Sequence, residues 1–127
     1  MRDQRCCLEA GGEAIEPGIT TAEIDKIIYD FIVRHGARPN FLHLYGFPAT
    51  ACISVNDTVI HGIPNKQQQI RPGDIVSIDT GCKIDGFNGD NACTYACGKI
   101  DLEAQRLLDV TKESLHRGIE MACGAIG

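Results

Sequence analysis

The feature that most constrains this chain is the stretch Gly73–Gly98, whose residue pattern predicts a β-hairpin. Residues 74–83 form an apolar, β-branched run that predicts one strand, and residues 87–97 predict the returning strand. Asp85-Gly86 lies between the two runs, and an Asp-Gly pair in that position is a strong hairpin signal. Whatever fold the chain adopts must therefore contain this antiparallel pair.

The hairpin places Asp79 and Asp90 on one face of the sheet, because side-chain direction alternates with period two. A two-residue loop at Ile84-Asp85 would set the two carboxylates directly opposite each other, and a loop at Asp85-Gly86 would set them on a diagonal. Like charges that face each other across a ladder are destabilising. The pair therefore requires a cation, a shared proton or exposure to solvent, and the hairpin alone favours solvated aspartates.

Composition limits the class of protein further. The 127 residues are 43% hydrophobic and 23% charged, which is ordinary for one globular domain. A net charge of −5 without basic runs argues against a nucleic-acid interface. No apolar run approaches the roughly 18 residues that span a membrane, and the chain begins without a signal-peptide pattern. A cytoplasmic location is expected, in which the seven cysteines stay reduced.

Three helices are predicted around the hairpin. Residues 3–15 form a thin helical pattern, and Thr20-Thr21-Ala22-Glu23 is a capping box that begins a second helix with one apolar stripe. His35-Gly36 ends that helix. A last helix is predicted from about residue 102 to 121, capped by Asp101. Its buried face is expected to comprise Leu107, Leu108, Thr111, Leu115 and Ile119.

The remaining segments predict loops and short strands. Residues 37–50 predict a loop that contains Phe41, Leu44, Tyr45 and Phe47. Its aromatic side chains are expected to pack against the domain body, and the alternative is that they form the wall of a pocket. Residues 51–55 predict a strand, Asn56-Asp57 a turn, and Val59-Ile60 a second short strand. Together these elements predict an α+β fold in which helices cover an antiparallel sheet on one side.

Four segments, in this order and spacing, resemble the type I methionine aminopeptidases. They are Pro17-Gly18-Ile19-Thr20-Thr21, then Gly46-Phe47-Pro48-Ala49 with Cys52-Ile53-Ser54-Val55-Asn56, then His61-Gly62-Ile63-Pro64, and Gly73-Asp74-Ile75-Val76 through Gly89-Asp90. The resemblance runs from about Leu8 to Ile119 and is to the N-terminal half of these enzymes. It implies a single partial domain over residues 1–127, with half of a pita-bread fold. The implied activity is removal of the initiator methionine from nascent proteins by two-metal hydrolysis.

The resemblance also implies a site. Two divalent metal ions (Co, Mn, Fe or Zn) would be held by two Asp, one His and two Glu, and oxygen donors suit such ions. Asp79 and Asp90 match the Asp ligands, with Asp90 in the bridging position, and the ions would neutralise the facing carboxylates. His61 matches the catalytic histidine that contacts substrate. Phe47 and Cys52 match walls of the pocket for the methionine side chain.

Two consequences concern residues around this site. Asn56 and Thr58 match a loop that holds a monovalent cation. The His and two Glu ligands are expected beyond Gly127, and His116 cannot replace them because it lies on the last helix. The chain by itself is therefore predicted to bind divalent metal weakly and to have little or no peptidase activity. It is also predicted to expose an apolar sheet face or edge that favours self-association.

Two alternative functions are left open. A proline aminopeptidase-like pita-bread hydrolase uses the same ligand types, although Cys52 and His61-Gly62-Ile63-Pro64 favour the methionine enzyme. A non-catalytic pita-bread module that recruits a ribosome or nucleic acid would typically lack metal ligands, whereas this chain has Asp79 and Asp90. The expected partner is the N-terminal peptide of a nascent protein, close to the ribosome, with no membrane partner.

Overall fold

The predicted hairpin lies at the centre of the fold. The computed structural model describes residues 2–124 and contains three helices and four strands within them. In chain order these are α1 (Arg2–Glu13), α2 (Thr21–Arg34), β1 (Arg38–Pro39), β2 (Ala51–Val55), β3 (Ile75–Ile84), β4 (Phe87–Ala96) and α3 (Leu102–Gly124), with a short 3₁₀ turn at Leu44–Gly46.

β3 is the central strand of an antiparallel sheet. β4 pairs with it along one edge, and β1 and β2 lie end to end along the other. Ile84 pairs with Phe87, so the hairpin loop is Asp85-Gly86 and the second of the two predicted registers is confirmed. Asp85 and Gly86 have φ values of 50° and 85°, and a two-residue hairpin turn with positive φ at both positions follows the twist of the strands.

α1 and α2 cover one face of this sheet. The apolar stripe predicted for α2 forms the core there: Ile24, Ile28 and Ile32 are buried together with Ile53 and Ile78 from the sheet. Fully burying an isoleucine side chain stabilises a fold by about 1.5–3 kcal/mol. α1 and α2 therefore pack on one face of the sheet only, and they leave the opposite face uncovered.

The predicted start of α2 is confirmed in atomic detail. The Glu23 N–H donates to Thr20 Oγ1 at 3.2 Å, and the Thr20 N–H donates to Glu23 Oε2 at 2.8 Å. This reciprocal pair satisfies two backbone donors at the helix N-terminus. At the other end, Gly36 has φ of 72° and caps the helix as predicted.

Thr20→Ala is expected to lower the free energy of unfolding by about 1 kcal/mol, because it removes the cap that accepts the Glu23 N–H. Urea denaturation followed by circular dichroism measures the change. Thr20→Ser keeps the hydroxyl, so its free energy of unfolding should remain close to that of the unmodified chain. Equal stability of the Ala and Ser variants would show that the capping box adds nothing.

Two predictions about the loops are wrong. Val59-Ile60 forms no strand: both side chains are exposed, and the next residue, His61, has φ of 58°, which an extended strand does not allow. The backbone of Gly62 lies beside β2 instead. Residues 37–50 also contain more than a loop, since Arg38–Pro39 pairs with β3.

The prediction that α3 buries an apolar face is also wrong. Asp101 caps the helix as expected, with its Oδ1 accepting from the Ala104 N–H at 2.7 Å. However, α3 makes no extensive contact with the other described elements. Leu107, Thr111, Leu115 and Ile119 are exposed, and Leu108 is half-buried. Periodicity creates an apolar stripe, but burial requires a facing surface, and the described residues provide no extensive one.

The exposed apolar groups differ in part from those predicted. The sheet face opposite α1 and α2 is not apolar at its centre, where Ser77 and Thr94 share a hydrogen bond of 2.8 Å between their hydroxyl groups. Large exposed apolar side chains lie on α3, and Phe87 is exposed on the edge strand β4. Within residues 2–124, no helix combines the length and hydropathy required to cross a membrane.

Candidate metal centre

The two carboxylates lie on the sheet face that α1 and α2 leave uncovered. Asp79 of β3 pairs with Cys52 on one side and with Ala92 on the other. Asp90 of β4 pairs with Gly81, so Asp79 and Asp90 are diagonal neighbours across the ladder. Diagonal positions on one face are within reach of each other's side chains. The sheet register thus brings the two predicted ligands together.

The electrostatics of this pair are unfavourable without a counter-ion. Burial raises the pKa of Asp79, and the charge of Asp90 and a hydrogen bond with Asp90 raise it further, while His61 acts in the opposite direction. The negative charge of Asp90 therefore disfavours ionisation of Asp79, as a like charge at close range does. A cation between them would remove this cost, so the donor chemistry and the geometry both fit a divalent metal ion.

The pair opens into a cavity of about 600 Å³ on the same face. Five residues predicted for the site lie on its wall: Phe47, Cys52, His61, Asp79 and Asp90. Further lining comes from residues without a predicted role, namely Phe41, Leu44, Tyr45, Gly46, Pro48 and Ile63. An apolar cavity with a few convergent polar groups is the usual form of a small-ligand site.

The aromatic loop follows the less favoured of its two predicted arrangements, the wall of a pocket. Tyr45 is fully exposed, rather than packed on the domain body, and borders the cavity with Phe41 and Leu44. The one available signal in the sequence was the density of aromatic residues around Gly46, which is ambiguous between packing and a pocket wall. The cavity depends on how residues 41–47 fold back onto β3, and no local pattern specifies that.

Part of the backbone strain lies at the same place. Five described residues other than glycine have positive φ, and three of them, His43, Tyr45 and His61, have values of 68°, 49° and 58°; the other two are in the turns at Asn56 and Asp85. A left-handed conformation at such a residue costs on the order of 1–3 kcal/mol and persists only where surrounding contacts impose it. All three belong to the two segments that form the cavity wall, which is consistent with a functional site.

Cys52 contributes a neutral thiol to the cavity. Burial raises the pKa of Cys52, and the negative charges of Asp79, Asp25 and Asp90 raise it further. A thiol that stays protonated is a poor metal ligand and a weak nucleophile. Cys52 is therefore suited to an apolar wall beside the carboxylates.

The loop predicted to hold a monovalent cation lies at the end of β2. The Asn56 side chain is committed to the turn there: its Oδ1 accepts from the Ile75 N–H at 3.1 Å, and its Nδ2 donates to Asp74 Oδ1 at 2.8 Å. Neither Asn56 nor Thr58 lines the cavity. The Asn56 amide is already hydrogen-bonded at both ends, so the backbone carbonyl oxygens of the turn are the additional ligands that it could offer a cation.

The described residues supply two ligands, which is fewer than a complete site needs. Between residues 2 and 124, no group of three or more His, Cys, Asp and Glu side chains is arranged to hold a metal ion. Stable divalent sites use more protein ligands than two carboxylates, together with groups that orient them. Asp79 and Asp90 therefore fit part of a metal centre.

Asp79 is expected to destabilise the metal-free fold at neutral pH. The pKa of Asp79 is higher in the folded state than in the unfolded state. The Asp79 carboxyl therefore stabilises the fold below its unfolded-state pKa, and this stabilisation is lost as the pH rises through its folded-state pKa. Asp79→Asn should therefore raise the melting temperature at neutral pH in the presence of EDTA. The difference should disappear below about pH 3, where the carboxyl is protonated in both states. Thermal unfolding across this pH range measures it, and a less stable variant at neutral pH would contradict the proposed repulsion.

With this geometry established, the chain can be compared with known proteins. The model of metallopeptidase family M24 matches residues 2–126. The chain is 52% identical over 110 residues to a methionine aminopeptidase of Clostridium perfringens, and 50% identical over 111 residues to that of Borreliella burgdorferi. Each alignment covers 87% of this chain and 44% of the relative. The chain thus spans less than half the length of these curated relatives.

Solved structures show the same relationship. A methionine aminopeptidase from Thermotoga maritima superposes with a TM-score of 0.89 at 33% identity, covering 94% of this chain and 48% of that one. Aminopeptidase P from E. coli gives a TM-score of 0.75 at 23% identity, covering 91% and 25%, and shows a shared fold alone. The predicted α+β half of a pita-bread fold and the resemblance to methionine aminopeptidases are confirmed. The family match over nearly all of the sequence shows that the chain belongs to metallopeptidase family M24.

Proposed function

We propose that this chain provides the N-terminal half of a methionine aminopeptidase, and that Asp79 and Asp90 are two ligands of its divalent metal centre. The observation that carries the proposal is the cavity in which these carboxylates meet His61 and an apolar wall. The 52% identity to the Clostridium perfringens methionine aminopeptidase supports the same activity. Two divalent ions, Co, Mn, Fe or Zn, would be held by Asp79 and Asp90 together with further ligands.

Different residues of the chain have different roles in the proposed hydrolysis. Asp79 and Asp90 hold the ions, which when bound would polarise the scissile carbonyl and activate a water molecule. An imidazole N–H of His61, at the edge of the same cavity, donates to the oxygen that gains negative charge as the carbonyl is attacked. Such a donor is effective because it is already positioned before the charge develops.

The apolar part of the cavity accounts for the substrate. Phe47 and Cys52 form walls that receive the unbranched methionine side chain. Contacts between a thioether and an aromatic ring contribute about 0.3–1.5 kcal/mol each. The neutral thiol of Cys52 adds a small apolar surface without a charge. The proposed substrate is the N-terminal peptide of a nascent protein, which the complete enzyme would meet in the cytoplasm near the ribosome.

Two lesser parts of the proposal concern other surfaces. Asn56 and Thr58 bind a monovalent cation through backbone carbonyl oxygens, since the Asn56 amide is paired with the start of β3. The apolar stripe of α3 favours self-association or a further part of the same enzyme, because it has no partner among the described residues.

A chimera tests the proposed function. Residues 1–127 are joined to the part of the Clostridium perfringens enzyme that follows its aligned segment, and methionine release from a Met-Ala-Ser peptide is measured with added Mn²⁺. The chimera is expected to release methionine, while the 127-residue chain alone releases little or none. In the chimera, His61→Ala should lower kcat about 100-fold, the usual effect of removing one oxyanion donor.

The controls make the outcome decisive. His35→Ala removes an exposed histidine that ends α2 and does not line the cavity, and it should leave kcat unchanged. A folded, metal-loaded chimera without activity would contradict the proposal. Full activity in the His61→Ala chimera would remove His61 from the mechanism.

A further inference from the structure

We infer that Ser54 is a positioning residue that holds His61 at the cavity, an inference that rests on the role proposed for His61. Ser54 lies on β2, two residues after Cys52, and its side chain is on the same face of the sheet as Asp79. It is 4% exposed and does not line the cavity. A buried hydroxyl requires a hydrogen-bond partner, and the identity of that partner shows its role.

The partner of Ser54 is the residue next to His61. The Gly62 N–H donates to Ser54 Oγ at 3.0 Å, and the Ile53 N–H donates to the Gly62 carbonyl oxygen at 2.9 Å. Both backbone groups of Gly62 are therefore bound to β2. The loop that carries His61 is held against the strand that carries Cys52.

The approach of this loop to β2 is as close as a backbone allows. A Cβ atom at Gly62 would lie 2.1 Å from the Ile53 carbonyl oxygen, which no side chain tolerates. Position 62 must therefore be glycine for the contact to form. Since glycine is also the residue with most conformational freedom, the two hydrogen bonds are needed to restrict it.

His61 itself depends on this restriction. Its φ of 58° lies in the left-handed region, which a histidine in a free loop would rarely adopt. Holding Gly62 from both sides fixes the peptide that follows His61 and makes the strained conformation the stable one. In that conformation the imidazole lines the cavity together with Asp79 and Asp90.

A second anchor fixes the far end of the loop. The Asn65 N–H donates to Thr21 Oγ1 at 2.9 Å, and the Ala22 N–H donates to the Asn65 carbonyl oxygen at 3.2 Å. This anchor ties the loop to the start of α2. Because Asn65 is further along the chain, it leaves His61 free to rotate, and Ser54 is the anchor adjacent to the functional side chain.

Variants of the full chain test this inference by NMR. Ser54→Ala removes the acceptor, Ser54→Thr keeps a hydroxyl, and Ser77→Ala is the matched control. Ser77 pairs with Ser54 across the ladder, but its hydroxyl bonds Thr94 instead of the loop. Two quantities are measured: hydrogen exchange of the Gly62 amide, and paramagnetic broadening of the His61 ring protons by added Mn²⁺ relative to the Ala92 amide.

In Ser54→Ala, exchange of the Gly62 amide should be about five to ten times faster, and the His61 ring should lose broadening relative to Ala92. In Ser54→Thr and Ser77→Ala, the exchange rate of the Gly62 amide should stay within about twofold of its rate in the unmodified chain. Unchanged Gly62 exchange in Ser54→Ala would overturn the inference, as would faster exchange spread evenly over β3.

Two further outcomes are also decisive. If Ser54→Ala does not fold, the inference is tested with Ser54→Thr, which keeps the hydroxyl at this position. Rapid hydrogen exchange of the Gly62 amide in Ser54→Thr would then contradict the role of Ser54. If Mn²⁺ broadens nothing in the unmodified chain, the proposed metal site fails instead. The Gly62 exchange rate and the His61 ring chemical shifts then still decide whether Ser54 positions His61.

Discussion

Replacing Asp90 by Asn is expected to abolish specific binding of divalent metal by this chain, and Asp79→Asn is expected to have the same effect. Two carboxylates already make a weak site, so the loss of one leaves a single carboxylate that binds an ion no better than other surface acids. Titration with Mn²⁺, followed by the electron paramagnetic resonance signal of the free ion, measures binding. Neutralising the facing charge also removes the reason for an ion to prefer this place.

Asp85→Asn is the matched control for these variants. It removes a carboxylate from the exposed turn of the same hairpin, and asparagine tolerates the positive φ that this position adopts. The control should bind Mn²⁺ as the unmodified chain does. Retention of binding in both Asp79→Asn and Asp90→Asn would exclude the hairpin as the site. Tight binding of two ions by the unmodified chain would contradict the prediction that this chain binds metal weakly.

Ile78→Ala is expected to destabilise the fold by about 2–5 kcal/mol, because it opens a cavity under α1 and α2. Ile119→Ala on α3 should change the free energy of unfolding by less than about 0.5 kcal/mol. The difference arises from packing: Ile78 is 0% exposed and Ile119 is 51% exposed. Urea denaturation at low protein concentration measures both variants under the same conditions.

A large effect of Ile119→Ala would show that α3 is packed against something. If the effect grows with protein concentration, the partner is a second copy of the chain, as self-association predicts. Equal, small effects of both substitutions would contradict the assignment of the core to the face between the sheet and α2.

The elements set by local chemistry could be predicted from the sequence. The capping box at Thr20 and the stripe of isoleucines in α2 both depend on spacing within one helix, and both are confirmed. The Asp85-Gly86 turn determines the register of β3 and β4, because its dihedral angles select a two-residue loop. That register is what brings Asp79 and Asp90 together.

The features that depend on distant contacts could not be predicted in this way. Val59-Ile60 has a strand-like composition, but Gly62 occupies the edge of β2 instead. α3 has a helical apolar stripe, and periodicity contains no information on whether a facing surface exists. The hydrogen bond from the Gly62 N–H to Ser54 Oγ joins a loop to a strand. The local sequence pattern of neither segment indicates this contact.

The candidate site falls between these two cases. Alternation along the strands predicts that the two carboxylates share a face, but it favours solvated side chains over metal ligands. The resemblance to a family favours metal ligands instead, and the cavity is also lined by Ile63, for which the sequence predicts no role. Asp79 and Asp90 by themselves do not indicate which other residues complete the metal centre.

Locating the bound ion tests the proposed metal centre most directly. Mn²⁺ is added in substoichiometric amounts to the ¹⁵N-labelled full chain, and the loss of each amide signal is measured. We expect broadening to be strongest at Asp79 and Asp90 and to extend to Cys52, Gly81 and Ala92, their partners in the sheet. Broadening centred on the acidic side chains of α3, or spread evenly over the surface, would contradict a metal centre at the hairpin.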